Sequence, residues 1–206
     1  MTIPHYIDIH FTVLDLVRHS CPSPATWLDI GCGTGKLTED AAGLFPDTLF
    51  TVCDPSPEML ALAKERLHSI PTRFIEGGAQ ELSLPQKSQD VVTAVLSLHY
   101  IPLQERESVA NSIFEMLRSG GVYIQCEHTA PRTEYGKTLT LSRWEEYQHS
   151  AGKTAEAAAA HVARYNKSYF PMSLERHIEL LERCGFENVE LAWASYCDTI
   201  IWARKK

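Results

Sequence analysis

One segment, Leu28-Asp29-Ile30-Gly31-Cys32-Gly33-Thr34-Gly35, limits what this chain can fold into more than any other. Its glycines follow a short apolar run, Ala25 to Ile30, and precede a helical pattern from about Lys36 to Leu44. A glycine-rich turn between a strand and a helix sets backbone amides and the helix N-terminus against a ligand. Only glycine allows both the close approach and the positive φ angles. Taken alone, the turn is also compatible with a merely tight connection. Its spacing is GxGxG, whereas the dinucleotide fingerprint GxGxxG needs glycine where this chain has Lys36, which disfavours a nicotinamide or flavin enzyme.

The rest of the chain repeats the same unit. A helix is expected from Ile7 to His19, where Ile7, Phe11, Leu14 and Val17 recur at helical spacing. Strands are expected at Leu49 to Cys53, Arg73 to Glu76, Val91 to Ser97 and Val122 to Glu127. Helices are expected at Glu58 to His68, started by Ser56-Pro57, and from about Gln104 to Leu117. Ser173 caps a last helix that stops at Gly185, and strands at Val189 to Trp193 and Thr199 to Ala203 form an antiparallel hairpin. Such alternation predicts an α/β fold: a doubly wound, seven-stranded, mainly parallel sheet with an antiparallel last strand. Residues 1–206 read as a single domain with a helical, lid-like insertion at about 130–170, since some 40 residues there exceed what the sheet needs.

Asp54 stands at the carboxyl end of the second strand, next to Pro55, where a carboxylate can accept both hydroxyls of a ribose lying over the switch point of the sheet. Its alternative role is to cap the helix that begins at Ser56-Pro57. Asp29 can orient the turn or a ligand amine, and Gln80, in Gly78-Ala79-Gln80 after the third strand, can bond an adenine edge.

At these residues the chain resembles the class I S-adenosylmethionine-dependent methyltransferases. The resemblance implies that Asp29, Gly31, Cys32, Gly33 and Gly35 hold the methionine part of S-adenosyl-L-methionine, with S-adenosyl-L-homocysteine as product. It implies that Asp54 and Pro55 lie at the ribose, that Met59, Ala79 and Gln80 lie near adenine, and that Tyr6 closes the pocket. Gly77-Gly78-Ala79-Gln80-Glu81-Leu82 looks like the family's G-D-A-x-x-L with Gly78 in place of aspartate. Leu96 and Ser97 fall in the fourth-strand motif that lines the methyl donor site, and Leu117-Arg118-Ser119-Gly120-Gly121 looks like L-x-P-G-G with serine for proline. Pro4, Tyr6, Ile9, Ser173, Glu175, His177, Leu181, Gly185 and Phe186 are arranged similarly to the carboxy-S-adenosylmethionine synthase branch, which modifies the cofactor with a carboxylate from prephenate. Arg164 lies only roughly in the region of that branch's carboxylate-binding arginine, and the glycine turn is of the ordinary methyltransferase type.

Methyl transfer needs an acceptor held in line and little conspicuous chemistry. His99, at the end of the fourth strand, is the candidate catalytic base, with Glu127 and His128 behind it. Tyr147, Arg164 and Tyr165 of the insertion are candidate acceptor contacts; the alternative is a helical pair whose aromatics pack on the domain. No metal site is expected: the six cysteines form no CxxC pair, and adjacent Glu127 and His128 should point to opposite faces of a strand.

A net charge of −7 disfavours a nucleic-acid partner and favours a small-molecule acceptor. No apolar run approaches the roughly 20 residues that span a bilayer, so no membrane partner is expected. The start MTIPHYIDIH lacks the basic and apolar parts of a secretory signal, from which a cytoplasmic location is expected, with a homodimer left open. A non-catalytic S-adenosylmethionine-binding protein is the remaining alternative.

Overall fold

The computed structural model describes residues 3–206. Its elements run α1 (Tyr6–Ser20), β1 (Thr26–Ile30), α2 (Lys36–Leu44), β2 (Leu49–Asp54), α3 (Pro57–Arg66), β3 (Thr72–Glu76) and β4 (Gln89–Val95). Then come α4 (Arg106–Met116), β5 (Leu117–His128), α5 (Glu134–Ser150), α6 (Ala155–Val162), α7 (Leu174–Arg183), β6 (Glu187–Ser195) and β7 (Asp198–Arg204). The seven strands form one sheet in the order β3-β2-β1-β4-β5-β7-β6. β1 to β5 run parallel to one another, and β7 runs antiparallel between β5 and β6. The doubly wound sheet with its hairpin therefore forms as the sequence implied.

Alternation along the strands divides the core into two layers. Trp27 and Val91 face α1 and α2, where they pack with Ile9, Val13, Val17, Leu37 and Ala41. Leu28, Ile30, Val92 and Ala94 face the other way, onto Val109 and Ile113 of α4 and Leu180 and Leu181 of α7. Strands buried on both faces can carry such unbroken apolar runs. Four helices start from side-chain caps: Ser56, Thr133, Thr154 and Ser173 each accept from the amide three residues on.

Because β2 and β3 leave β1 on one side and β4 and β5 on the other, the chain reverses between β1 and β4. A crevice opens there at the carboxyl ends of the strands. β4 stops at Val95, two residues short of the sequence expectation, because Leu96 takes a left-handed conformation (φ 55°) and turns the chain aside. Ser97 then anchors the turn by donating its Oγ to the Ile30 carbonyl at 2.8 Å. β5 begins earlier than expected: Gly120 donates to Lys205 O and Lys205 donates to Gly121 O, which prolongs pairing beside β7. α4 starts at Arg106 behind two short 3₁₀ turns, Leu98–Tyr100 and Leu103–Glu105.

The insertion forms α5 and α6. Its Trp144 and Tyr169 are buried with Cys197, so part of its aromatic content packs on the domain, while Tyr135 stands 80% exposed. Among the described residues no helix is long and apolar enough to cross a membrane.

Candidate active site

The glycine turn lies in the β1/β4 crevice, and Gly31, Gly33 and Gly35 all have positive φ (69°, 54° and 77°). Each serves a different purpose. A Cβ on Gly31 would sit 2.2 Å from Ser97 Cβ, so its missing side chain lets the β1 and β4 turns touch. A Cβ on Gly35 would press on Leu67 and Ala63, so this glycine packs α2 onto α3 and does not face the crevice. A Cβ on Gly33 would meet nothing within 4 Å; it would project into open space, the cradle expected where a ligand lies against backbone.

Two cavities meet at Gly31, Gly33 and Leu96. The smaller, about 190 Å³, is bordered by Tyr6, His10, Asp29, Cys32 and Thr34. The larger, about 890 Å³, is bordered by Asp54, Pro55, Met59, Ala79, Gln80, Ser97, Tyr100 and Glu105, within the size range of small-molecule sites. Of the residues the sequence assigned to the cofactor, all but Gly35 border one cavity or both.

Asp54 ties the parts together. Its Oδ2 accepts from the Gly33 amide at 2.8 Å and its Oδ1 from the Ser56 amide at 2.9 Å, so one carboxylate fixes both the turn and the start of α3. Each oxygen keeps a further acceptor direction for a ligand hydroxyl. Both readings of Asp54 thus meet in one side chain, although the helix cap itself is Ser56.

Asp29 is fully buried and accepts from Thr93 Oγ1 at 2.8 Å and Thr38 Oγ1 at 3.0 Å. Burial pushes its carboxyl up to about 6, against the two hydroxyl donors, with the charge of Asp54 adding to the rise. Burial likewise raises the Cys32 thiol, which leaves it an inert wall residue.

The side chain of Glu81 was not singled out from the sequence. It borders the larger cavity and accepts from the Gly78 amide at 3.4 Å, so a carboxylate reaches the loop whose usual aspartate is missing. A carboxylate three residues beyond a glycine substitution was the available signal. Gln80 donates to Glu105 at 3.1 Å.

The structure moves the expected base off the cavity. Leu98 and Tyr100 border it, but the imidazole of His99 between them is only 2% exposed and turns inward. Its Nδ1 lies 3.2 Å from Glu127 Oε2, and its ring stacks on His128 with centroids 4.1 Å apart. Burial, with His128 alongside, pushes His99 below the ordinary histidine range. The 3₁₀ turn carries His99 across the end of β5, where it meets both Glu127 and His128.

None of the three acceptor candidates borders either cavity. Tyr147 donates to Ile3 O at 3.5 Å and packs against Tyr196, and Tyr165 packs beside Tyr169. Arg164 lies over the rings of Tyr100 and Tyr169, 5.9 and 5.8 Å from their centroids, and touches the cavity only through Tyr100.

Residues 28–121 match a family described as a methyltransferase domain, a span that runs from β1 through the glycine turn into β5. The carboxy-S-adenosyl-L-methionine synthase of Chromohalobacter salexigens is 25% identical over 176 residues, covering 82% of this chain and 63% of its own. The enzyme of the same name from Nitratiruptor is 23% identical over 208 residues, covering all of this chain and 87% of its own. Human N-acetylserotonin methyltransferase, solved in complex with SAM, superposes with a TM-score of 0.67 at 21% identity. That match covers 95% of this chain and 51% of the human one, so the chain spans about half the length of that enzyme.

Proposed function

We propose, from the match of residues 28–121 to a family described as a methyltransferase domain, that the chain is an S-adenosylmethionine-dependent methyltransferase acting on a small molecule. The observation that carries this reading is the Gly33–Asp54 hydrogen bond at the junction of two cavities. It joins a backbone cradle to a carboxylate placed for a ribose.

The residues present fit the cofactor. Asp54 would take the ribose hydroxyls, Gly33 the close approach of the chain, and Asp29, with Tyr6 over the smaller cavity, an ammonium group. Met59, Ala79 and the Gly77–Gly78 loop with Glu81 would flank the adenine. S-adenosylmethionine supplies an already activated methyl group. The protein's share is then to orient the acceptor and exclude water. Ser97 and Tyr100 stand at the mouth where an acceptor would meet the donor, and Arg164 of the insertion backs Tyr100. His99, whose Nδ1 lies 3.2 Å from Glu127 Oε2 behind the wall that Leu98 and Tyr100 present, would act as a positioning residue for that wall. The six free cysteines suit a reducing, cytoplasmic compartment.

A second reading is favoured by the curated relatives, which are carboxy-S-adenosyl-L-methionine synthases. A carboxylated cofactor would need a cation. Among the described residues bordering the larger cavity the charged side chains are Asp54, Glu81 and Glu105, which disfavours an additional carboxylate on the cofactor.

The deciding experiment is calorimetric titration with S-adenosylmethionine and S-adenosylhomocysteine, after any co-purified ligand has been stripped and identified by mass spectrometry. Binding of both, followed by methyl transfer to a small acceptor, is expected. A carboxylated ligand would install the second reading, and binding without turnover on any acceptor would indicate a non-catalytic binder. Failure of both to bind would remove the assignment.

A further inference from the structure

Behind the wall of the larger cavity, the ends of β5 and β7 bring together three side chains of different chemistry. His128 and Asp198 are directly paired across the two strands, and Cys197 precedes Asp198 in the hairpin turn. Asp198 Oδ1 contacts His128 Nδ1. Cys197 Sγ lies 3.6 Å from the same nitrogen and 3.9 Å from the same carboxylate oxygen. Asp198 is 1% exposed, its Oδ2 has no hydrogen-bond partner, and among the described residues its one ion-pair partner is His128.

A thiol and a carboxylate both converge on one imidazole nitrogen. That nitrogen holds at most one proton, which can bond only one of them at a time. We infer that His128, Cys197 and Asp198 form a binding site for a divalent transition-metal ion of the zinc class. Thiolate, imidazole and carboxylate are the ligand types such borderline ions take. About a tetrahedral zinc, a sulfur ligand and a nitrogen or oxygen ligand stand roughly 3.5 Å apart, given metal–ligand bonds near 2.3 and 2.0 Å. The Cys197 sulfur already lies close to that separation from both partners. Coordination would draw Asp198 and His128 apart around the ion and release the proton of the Cys197 thiol to solvent, the neutral His128 ring binding through Nδ1 and carrying its proton on Nε2.

The surroundings are those of a structured metal pocket. Trp144 meets the His128 ring edge-on at 4.9 Å, Tyr169 lies at 5.6 Å, and His99 stacks on its other side. The His128 side chain retains 11% exposure, which leaves a path for an ion. Three protein ligands leave a fourth position for water. Because α5 contributes Trp144, a bound ion would also pin the insertion to the end of the sheet. The site does not depend on the methyltransferase reading and would stand if that reading fell.

The test is titration of the untagged, chelator-treated full chain with Co²⁺, read as the near-ultraviolet thiolate-to-cobalt band and the visible bands of tetrahedral cobalt. Elemental analysis of protein purified without chelator runs beside it. One equivalent per chain is expected, displaced by Zn²⁺. The charge-transfer band should vanish in Cys197→Ser, and affinity in Asp198→Asn should fall by at least the roughly 10–100-fold that loss of an outer-shell partner costs. Absence of the thiolate band in folded wild-type protein overturns the inference, and so does a band that survives in Cys197→Ser, since another cysteine would then be the ligand. Should the variants fail to fold, a wild-type thermal midpoint that Zn²⁺ does not raise overturns it equally.

Discussion

The amide of Gly33 donates to Asp54 across 2.8 Å, so the glycine turn after β1 and the acid at the end of β2 are one unit. Removing the carboxylate would withdraw the proposed ribose acceptor and also free the turn. Asp54→Ala is expected to weaken S-adenosylmethionine binding by about 1–3 kcal/mol, the usual range for a lost charged acceptor. Asp54→Asn, which keeps one acceptor oxygen, should lose less. Calorimetric affinities equal to wild type in the alanine variant would remove Asp54 from the site.

Gly31 and Gly33 should separate stability from binding. Gly31→Ala places a Cβ 2.2 Å from Ser97 Cβ at φ +69°, so it is expected to cost about 2–4 kcal/mol in urea unfolding, from backbone strain plus overpacking. Gly33→Ala meets only open space at φ +54° and should cost about 1–2 kcal/mol of strain while impairing cofactor binding more severely.

The buried Asp29 gives the protein a pH signature. Its ordinary carboxyl value is 3.8, and in the folded chain burial raises it to about 6. Between these pH values the unfolded chain releases a proton that the folded chain retains. Stability therefore falls as pH rises from about 4 to 6 and is flat above. The gap corresponds to about 3 kcal/mol, a loss that Asp29→Asn should not show in urea unfolding at pH 4 and pH 7. A ligand ammonium beside Asp29 favours its charged form, so S-adenosylmethionine affinity should weaken as pH drops below 6. Calorimetry in buffers of different ionisation enthalpy should record proton release at pH 5.5.

We propose that Glu81 takes the place of the aspartate missing at Gly78. Because it reaches the Gly78 amide from an exposed position, Glu81→Ala is expected to change folding stability by less than about 0.5 kcal/mol yet reduce cofactor affinity several-fold. Unchanged affinity would leave Glu81 as a surface residue.

The parts of this fold that follow local rules were legible in the sequence. Ser56-Pro57 and Ser173 start helices by their own chemistry, and apolar runs such as Val91 to Ala94 declare strands buried on both faces. Leu96 was not legible, since a left-handed leucine has no local signal and is held there by its contacts. Gly35 belongs to the motif by spacing, but tertiary packing gives it to Leu67. The inward turn of His99 depends on a 3₁₀ segment crossing β5, and the His128–Asp198 pairing joins residues 70 apart in sequence. Neither spacing nor periodicity records such meetings.

Ile3 borders both cavities of the crevice, and its carbonyl accepts from Tyr147 on α5. A molecule long enough to occupy both cavities must pass this residue, and Ile3 cannot withdraw without breaking its tether to the insertion. Withdrawal of the amino-terminal segment therefore breaks a contact with α5. Sequence changes far out on α5 would be felt first as altered residence times of bound molecules, with equilibrium affinity following only where the closed arrangement itself changes.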